Sequence, residues 1–181
     1  MATILTSEFL HKILAYEPST GVFTWLIRTS ELFGGVRPSH TCAIWNSKYA
    51  GKVAGCPNAY GYIEICINNE RYLAHRLAWL YMTGEQPPPF IDHENTLEGD
   101  NRWTNLREAT FAENKRNCGQ RANNTSGFKG VSFDKIKRKW LAAIMMDRKS
   151  HFLGRFPTPE LAHAAYCEAS KRLHGEFGRT A

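Results

Sequence analysis

No stretch of the 181-residue chain approaches the ~18 consecutive apolar residues a membrane-spanning helix needs. The opening Met1-Ala2-Thr3-Ile4-Leu5 has neither the basic segment nor the apolar core of a secretory signal. These absences lead us to expect a cytoplasmic chain with no membrane partner. Cysteine is sparse as well: Cys42, Cys56, Cys66, Cys118 and Cys167 are odd in number and widely spaced, without a Cys-x-x-Cys pair. That speaks against a disulfide framework and against structural zinc, and the thiols are expected to be reduced and mostly buried. His40 and Cys42 could open a metal site with Cys56 only at irregular spacing. No internal repeat exceeds a few residues, which excludes a solenoid.

What is present is an ordinary globular composition, 43% hydrophobic and 22% charged, with a net charge of +6. The length suits one domain or two small ones, at ~100–200 residues each. Charge is unevenly distributed. Residues 1–114 carry 9 basic and 12 acidic side chains, whereas residues 115–181 carry 14 and 5. The basic third is interleaved with aromatics, which points to nucleic acid as partner rather than to a small-molecule substrate.

Ser7 to Tyr16 reads as a helix capped by Ser7, and Gly21 to Leu26 as a strand. No function is assigned from Thr29 to Pro57. Tyr60 to Ile67 reads as a strand entering an Asn68-Asn69 turn, and Arg71 to Thr83 as a helix stopped by Gly84. Asn105 to Ala109 follows as a short strand. Thr110 and Glu113 then stand at the two positions of a capping box, which places Asn114 in the first turn of a helix. Beyond a linker at 119–127, the runs Phe128–Phe133, Trp140–Met146 and His151–Phe156 read as strands. Thr158-Pro159 starts a helix with Leu161, Ala165, Ala169 and Leu173 as its apolar stripe.

Asp92, His93, Asn105 and Asn114 carry the chemistry if two strands and a helix bring them together. A carboxylate and an amide oxygen suit a hard divalent cation, and an adjacent imidazole is a base near neutral pH. Neutral His93 would take a proton from water attacking phosphorus, and Asn105 would accept from its other ring nitrogen. His75, in an otherwise apolar helix, reads as a core residue, with contact to phosphate or metal as the alternative. For Arg102 and Arg107, phosphate contact and pairing with Asp100 and Glu108 stay open.

Asp92-His93, Asp100-Asn101-Arg102, Asn105-Leu106-Arg107 and Asn114 resemble the HNH endonucleases of the phage and intron-associated group, built on a ββα-metal finger. Gly61-Tyr62 and Ala74-His75-Arg76-Leu77-Ala78-Trp79 extend the resemblance over residues 58–118. It implies His93 as general base, Asn105 as its orienting residue, and Asp92 and Asn114 as ligands of a Mg2+ ion that Mn2+ or another divalent cation can replace. It also implies double-stranded DNA cut to 5′-phosphate and 3′-hydroxyl ends, and a free-standing homing role. Related sequences usually have an apolar residue after the His and a glycine two positions on, where this chain has Glu94 and Thr96.

Gly127-Phe128-Lys129-Gly130-Val131, Lys139 to Ile144, Leu153-Gly154-Arg155-Phe156 and Ala162 to Ala169 resemble the Apetala and ethylene-response-factor type DNA-binding domain. The resemblance implies a three-stranded sheet laid in the major groove. Independently, a sheet face rich in Arg and Lys can read bases there. Lys129, Lys139, Trp140, Arg148 and Arg155 are the expected contacts, with Trp140 as a core residue the alternative. Lys135, Lys137 and Arg138 are expected on phosphate. Ser132 and Met145 stand where the plant domains carry arginines, so the plant sequence preference is not carried over.

The expected fold is α+β: a ββα-metal nuclease core plus a small three-stranded antiparallel sheet packed on one helix. The expected division is 1–57 of unassigned role, 58–118 nuclease, 119–126 linker and 127–181 DNA-binding domain, in a chain expected to be monomeric. The rival readings are a catalytically inactive, sequence-specific DNA-binding regulator and a single-stranded RNA binder stacking bases on Trp140 and Phe152.

Overall fold

The computed structural model describes residues 5–117, 124–147 and 149–180. The chain forms two compact units, Met1–Glu108 and Ala109–Ala181, each mixing helices with small antiparallel sheets, so the class is α+β. Among the described residues no helix is long and apolar enough to cross a membrane.

In the first unit, helix α1 (Ser7–Ile13) is capped by Thr6, whose hydroxyl oxygen accepts from the Phe9 N–H at 3.2 Å. It is shorter than the sequence suggests because Leu14–Glu17 leaves as strand β1, paired with β2 (Val22–Trp25). Leu10, Ile13, Leu14 and Tyr16 are all buried. A burial pattern that crosses a helix-to-strand junction reads as continuous helix when only apolar spacing is visible. Helix α2 (Pro38–Tyr49) occupies the segment without a sequence pattern. It buries only Cys42, so it has no apolar stripe to detect.

Strands β3 (Cys56–Pro57), β4 (Ile63–Ile67) and β5 (Glu70–Leu73) form an antiparallel sheet in that order. Asn68 and Asn69 both adopt positive φ, 50° and 65°, as a tight two-residue turn requires. Helix α3 (Ala74–Thr83) therefore begins later than expected, since Glu70–Leu73 pair with β4 instead; Gly84, at φ 76°, ends it. Strands β6 (Ile91–His93) and β7 (Leu106–Glu108) make the last hairpin of this unit. One core contains Leu10, Phe23, Trp25, Ile65, Leu77, Ile91 and Leu106. Residues from 1–57 thus pack into the same unit as the 91–108 hairpin. Each large side chain so enclosed contributes about 1.5–3 kcal/mol.

The second unit opens with helix α4 (Phe111–Asn117). Its capping box forms: Glu113 Oε2 accepts from the Thr110 N–H at 2.7 Å, and Thr110 Oγ1 from the Glu113 N–H at 3.3 Å. Strands β8 (Val131–Asp134), β9 (Lys139–Met146) and β10 (Lys149–Phe156) form an antiparallel sheet with β9 central. Helix α5 (Pro159–His174) packs on it through Ala162, Tyr166 and Ala169. Leu161 of the expected stripe is exposed instead. The helix is rotated so that Tyr166 closes on Gly130, where an added Cβ would lie 2.1 Å from the Tyr166 ring. Arg148 and residues 119–123 of the expected linker lie outside the described residues.

The cysteine expectation needs correction. Cys42 is buried and Cys167 half-buried, but Cys56 and Cys66 are exposed, and Cys118 lies outside the described residues. Cys66 alternates with buried Ile65 and Ile67 on β4, so the strand pleat turns its thiol outward. His40, Cys42 and Cys56 do not assemble: no group of three or more His, Cys, Asp or Glu suited to a metal exists among the described residues.

Candidate active site

The β6–β7 hairpin puts Asp92 and His93 on one strand, and both are buried, at 4% and 6% exposure. Asp92 faces Arg107 across the ladder. The guanidinium donates through Nε at 2.9 Å to Asp92 Oδ2, with Nη2 at 2.8 Å from the same oxygen. Arg107 therefore does not use Glu108, because direct cross-strand register brings it to Asp92. Arg102 does pair with Asp100, at 2.8 and 2.6 Å, and holds that carboxyl down to about 2.

The loop joining the strands is built on asparagines. The Asn105 carbonyl accepts from the Glu94 N–H at 2.9 Å, its side-chain oxygen from the Asn95 N–H at 3.0 Å, and its amide donates to the Asp100 carbonyl at 2.7 Å. Asn105 thus staples the two ends of the loop together and makes no bond to the imidazole, a correction to the orienting role expected of it. That bond belongs to Asn101, whose Oδ1 lies 3.3 Å from His93 Nε2. The Asn101 amide donates to Gly99 O at 3.3 Å, so its oxygen faces the ring. The ring then carries its proton on Nε2 and its lone pair on Nδ1. Asn101 stands within the Asp100-Asn101-Arg102 motif, which was the available signal for it.

Thr96, at φ 62°, sits in the left-handed region, where a side chain costs about 1 kcal/mol or more and glycine little. This explains why a glycine suits that loop position.

The N-terminal hairpin braces the same loop. Tyr16 donates to Asn101 O at 2.7 Å, and the Trp103 N–H to Pro18 O at 3.0 Å. Gly21 leaves no room for a side chain, since a Cβ there would lie 2.3 Å from the Asn101 carbonyl carbon. Part of the segment left unassigned from sequence therefore supports the loop that holds His93.

His75, at the start of α3, is buried, and its ring lies edge-on to His93 with centroids 5.0 Å apart. Tyr62 packs 5.5 Å from His75 and 6.0 Å from His93. Burial, then the neighbouring His93, presses the His75 pKa down to about 3. Burial also lowers that of His93, against the opposing pull of the Asn101 bond and of Glu98, Asp92 and Asp100. Both rings are neutral near pH 7.

Residues 72–116 match the HNH endonuclease family, a span that contains His75, Asp92, His93, Asn101, Asn105 and Asn114. Protein 3.8 of Escherichia phage T7 is 30% identical over 106 residues, which is 58% of this chain and 87% of that protein. The chain contains an HNH endonuclease family domain at residues 72–116. No solved structure matches it significantly.

In this HNH protein, Asn114 lies on α4 within the second unit, its N–H bonded to Thr110 O at 3.0 Å. Apart from Arg102, which lies in the first unit, the other residues expected to touch DNA are on the same unit. Lys135, Lys137 and Arg138 are exposed in the β8–β9 turn, which Asp134 shapes by accepting from the N–H groups of Ile136 and Lys137 at 3.1 and 3.0 Å. Lys139 is exposed. Arg155 donates to Asp134 Oδ2 at 2.9 Å and lies 5.1 Å over the Phe152 ring. Lys129 donates to Arg116 O at 2.8 Å. Trp140 is half-buried against Val131, Ala142 and Ala162, with its ring 5.0 Å from Phe133. Strand alternation puts it on the helix side of the sheet, so of the two readings the core one describes its surroundings.

Proposed function

We propose that the protein is a metal-dependent DNA endonuclease with His93 as general base, and that the second unit supplies duplex affinity. The observation that carries this reading is a neutral imidazole whose Nε2 is engaged by Asn101 beside the Arg107-paired carboxylate side chain of Asp92, all within the HNH-matched span. His93 takes a proton at Nδ1 from a water molecule as its oxygen bonds to phosphorus. The P–O3′ bond breaks, and the 3′ oxygen leaves to be protonated by solvent, giving 5′-phosphate and 3′-hydroxyl ends.

The donor chemistry suits Mg2+ or Mn2+. A carboxylate and an amide oxygen are hard oxygen ligands of the kind such an ion takes. Asp92 would hold it, and the resemblance to HNH endonucleases implies Asn114 as a second ligand. When bound, such an ion neutralises charge on the leaving oxygen. Lys135, Lys137, Arg138, Lys139, Lys129, Arg148 and Arg155 serve duplex DNA in the manner of Apetala-type domains, phosphate contacts giving affinity and register. A free-standing homing role agrees with a relative from a phage.

One observation favours the second reading, a DNA-binding regulator without chemistry: His93 is only 6% exposed. Nicking of supercoiled plasmid with Mg2+ decides between them. The enzyme reading expects nicking by the wild type and none by His93→Ala, with DNA binding retained; a wild type that binds and never nicks establishes the regulator.

A further inference from the structure

The segment 27–52 has four cations, Arg28, Arg37, Lys48 and Lys52, and one carboxylate, Glu31; the rest of Met1–Glu108 has five cations and ten carboxylates. Within this basic stretch Arg28 is unusual. It is 9% exposed, and its guanidinium carbon lies 3.8 Å from the Trp45 ring centroid and 4.9 Å from that of Trp25. Asn46 clamps its main chain, accepting from the Arg28 N–H and donating to the Arg28 carbonyl, both at 2.9 Å. The Cys42 thiol donates to the same carbonyl at 3.1 Å. Helix α2, which buries little else, thereby holds this arginine in place.

Its charge is not answered. Nε is shut off from water with no acceptor, and among the described residues no carboxylate pairs with the guanidinium. Burial alone already pulls its pKa below the usual arginine value. The indole faces stabilise a cation but accept none of its N–H groups in hydrogen bonds. A desolvated, rigid and donor-rich fork of this kind is matched to the oxygens of a phosphate.

We propose that Arg28, braced on Trp45, is a phosphate-binding fork that engages the backbone of duplex DNA. Segment 27–52 carries a net charge of +3 where the rest of the first unit carries −5, a local excess of cations that suits the many phosphates of a polyanion. This rests on DNA being the substrate, and it gives the otherwise acidic first unit its own grip on a polyanion.

The test uses the full chain carrying His93→Ala, so that DNA stays intact, and measures anisotropy of a labelled duplex across salt concentrations. Arg28→Met is expected to weaken binding about tenfold or more and to lower the salt slope by about 1. Its thermal midpoint should not fall, because a desolvated charge has been removed. Arg28→Lys should keep the slope and lose part of the affinity. On the parent protein, the Arg28 Nε–H NMR signal should move on adding duplex. An unchanged slope with a lowered thermal midpoint would make Arg28 a packing residue only. A signal moved by inorganic phosphate but not by duplex would make it a free-anion site. Either result overturns the fork, and if Arg28→Met does not fold, Arg28→Lys and the NMR signal still decide. Failure of the parent to bind DNA at all would instead remove the nuclease reading.

Discussion

The two units handle polar groups in opposite ways. The first, with 9 basic and 11 acidic residues, buries Asp92, His93, Asn101 and Asn105 and satisfies them through a ladder pair and a stapled loop. The second, with 14 basic and 6 acidic residues, leaves Lys135, Lys137, Arg138 and Lys139 exposed in and beside the β8–β9 turn of a sheet whose apolar face is covered by α5. A buried polar network tolerates little change, because each lost partner strands another desolvated group. An exposed cation set is nearly independent of fold and acts on a polyanion additively. Substitutions in the buried network of the first unit should therefore damage chemistry and stability together, and those of the exposed cations of the second should damage affinity alone.

The sharpest contrast is between Asp92→Ala and a triple Lys135→Ala, Lys137→Ala, Arg138→Ala variant. Asp92→Ala leaves Arg107 without its ladder partner and should cost about 3–5 kcal/mol in denaturant unfolding, with cleavage abolished. The triple variant should unfold like the wild type, while the salt slope of DNA binding falls by about 3. Equal stability of both proteins would erase the distinction between the units.

Within the loop, Asn105→Ala should cost about 1–3 kcal/mol, since it strands the Asn95 N–H and the Asp100 carbonyl. Asn101→Asp should fold normally and, by placing a carboxylate on Nε2, shift the acidic limb of the cleavage pH profile upward. If Asn105→Ala moved that limb and Asn101→Asp did not, Asn105 would be the orienting residue after all.

His75 provides a pH test of burial. Unfolded, it takes up a proton below about pH 6.5; folded, it resists until about 3. The unfolded state thus binds the extra proton in that window, so stability falls as pH drops through it, by about 1.4 kcal/mol per pH unit from this group. His75→Gln should flatten the urea-derived stability profile by about that slope, and an unaltered profile would mean His75 is already charged or solvated.

The smallest effect is expected at Thr96. Thr96→Gly relieves a left-handed threonine at the cost of a looser unfolded chain, giving a gain of up to about 1 kcal/mol. A loss there would mean that the threonine side chain holds the loop.

Much of this was legible in the sequence where the signal is local. The Asn68-Asn69 turn, the Thr110 and Glu113 capping box, the stop at Gly84 and the three C-terminal strands each follow from side chains acting on their own backbone. Asp92 and His93 were visible as an adjacent pair with a motif around them. What was hidden depends on residues far apart in the chain. The Asp92–Arg107 pair needs the ladder register, Asn101 needs the loop closed by Asn105, and the brace from Tyr16 and Gly21 spans about eighty residues. Helix α2 was missed because nearly all of it faces solvent, leaving no periodicity to read.

The most direct measurement is the single-turnover cleavage rate of supercoiled DNA by the wild type and by His93→Ala, with Mg2+ and with the metal chelated. A nuclease built on this imidazole should lose about 10²–10⁴-fold in rate on substitution, should fall silent on chelation, and should bind duplex equally well in every case. Equal rates for the two proteins, or a wild type that grips DNA and leaves it whole, would contradict the catalytic role assigned to His93.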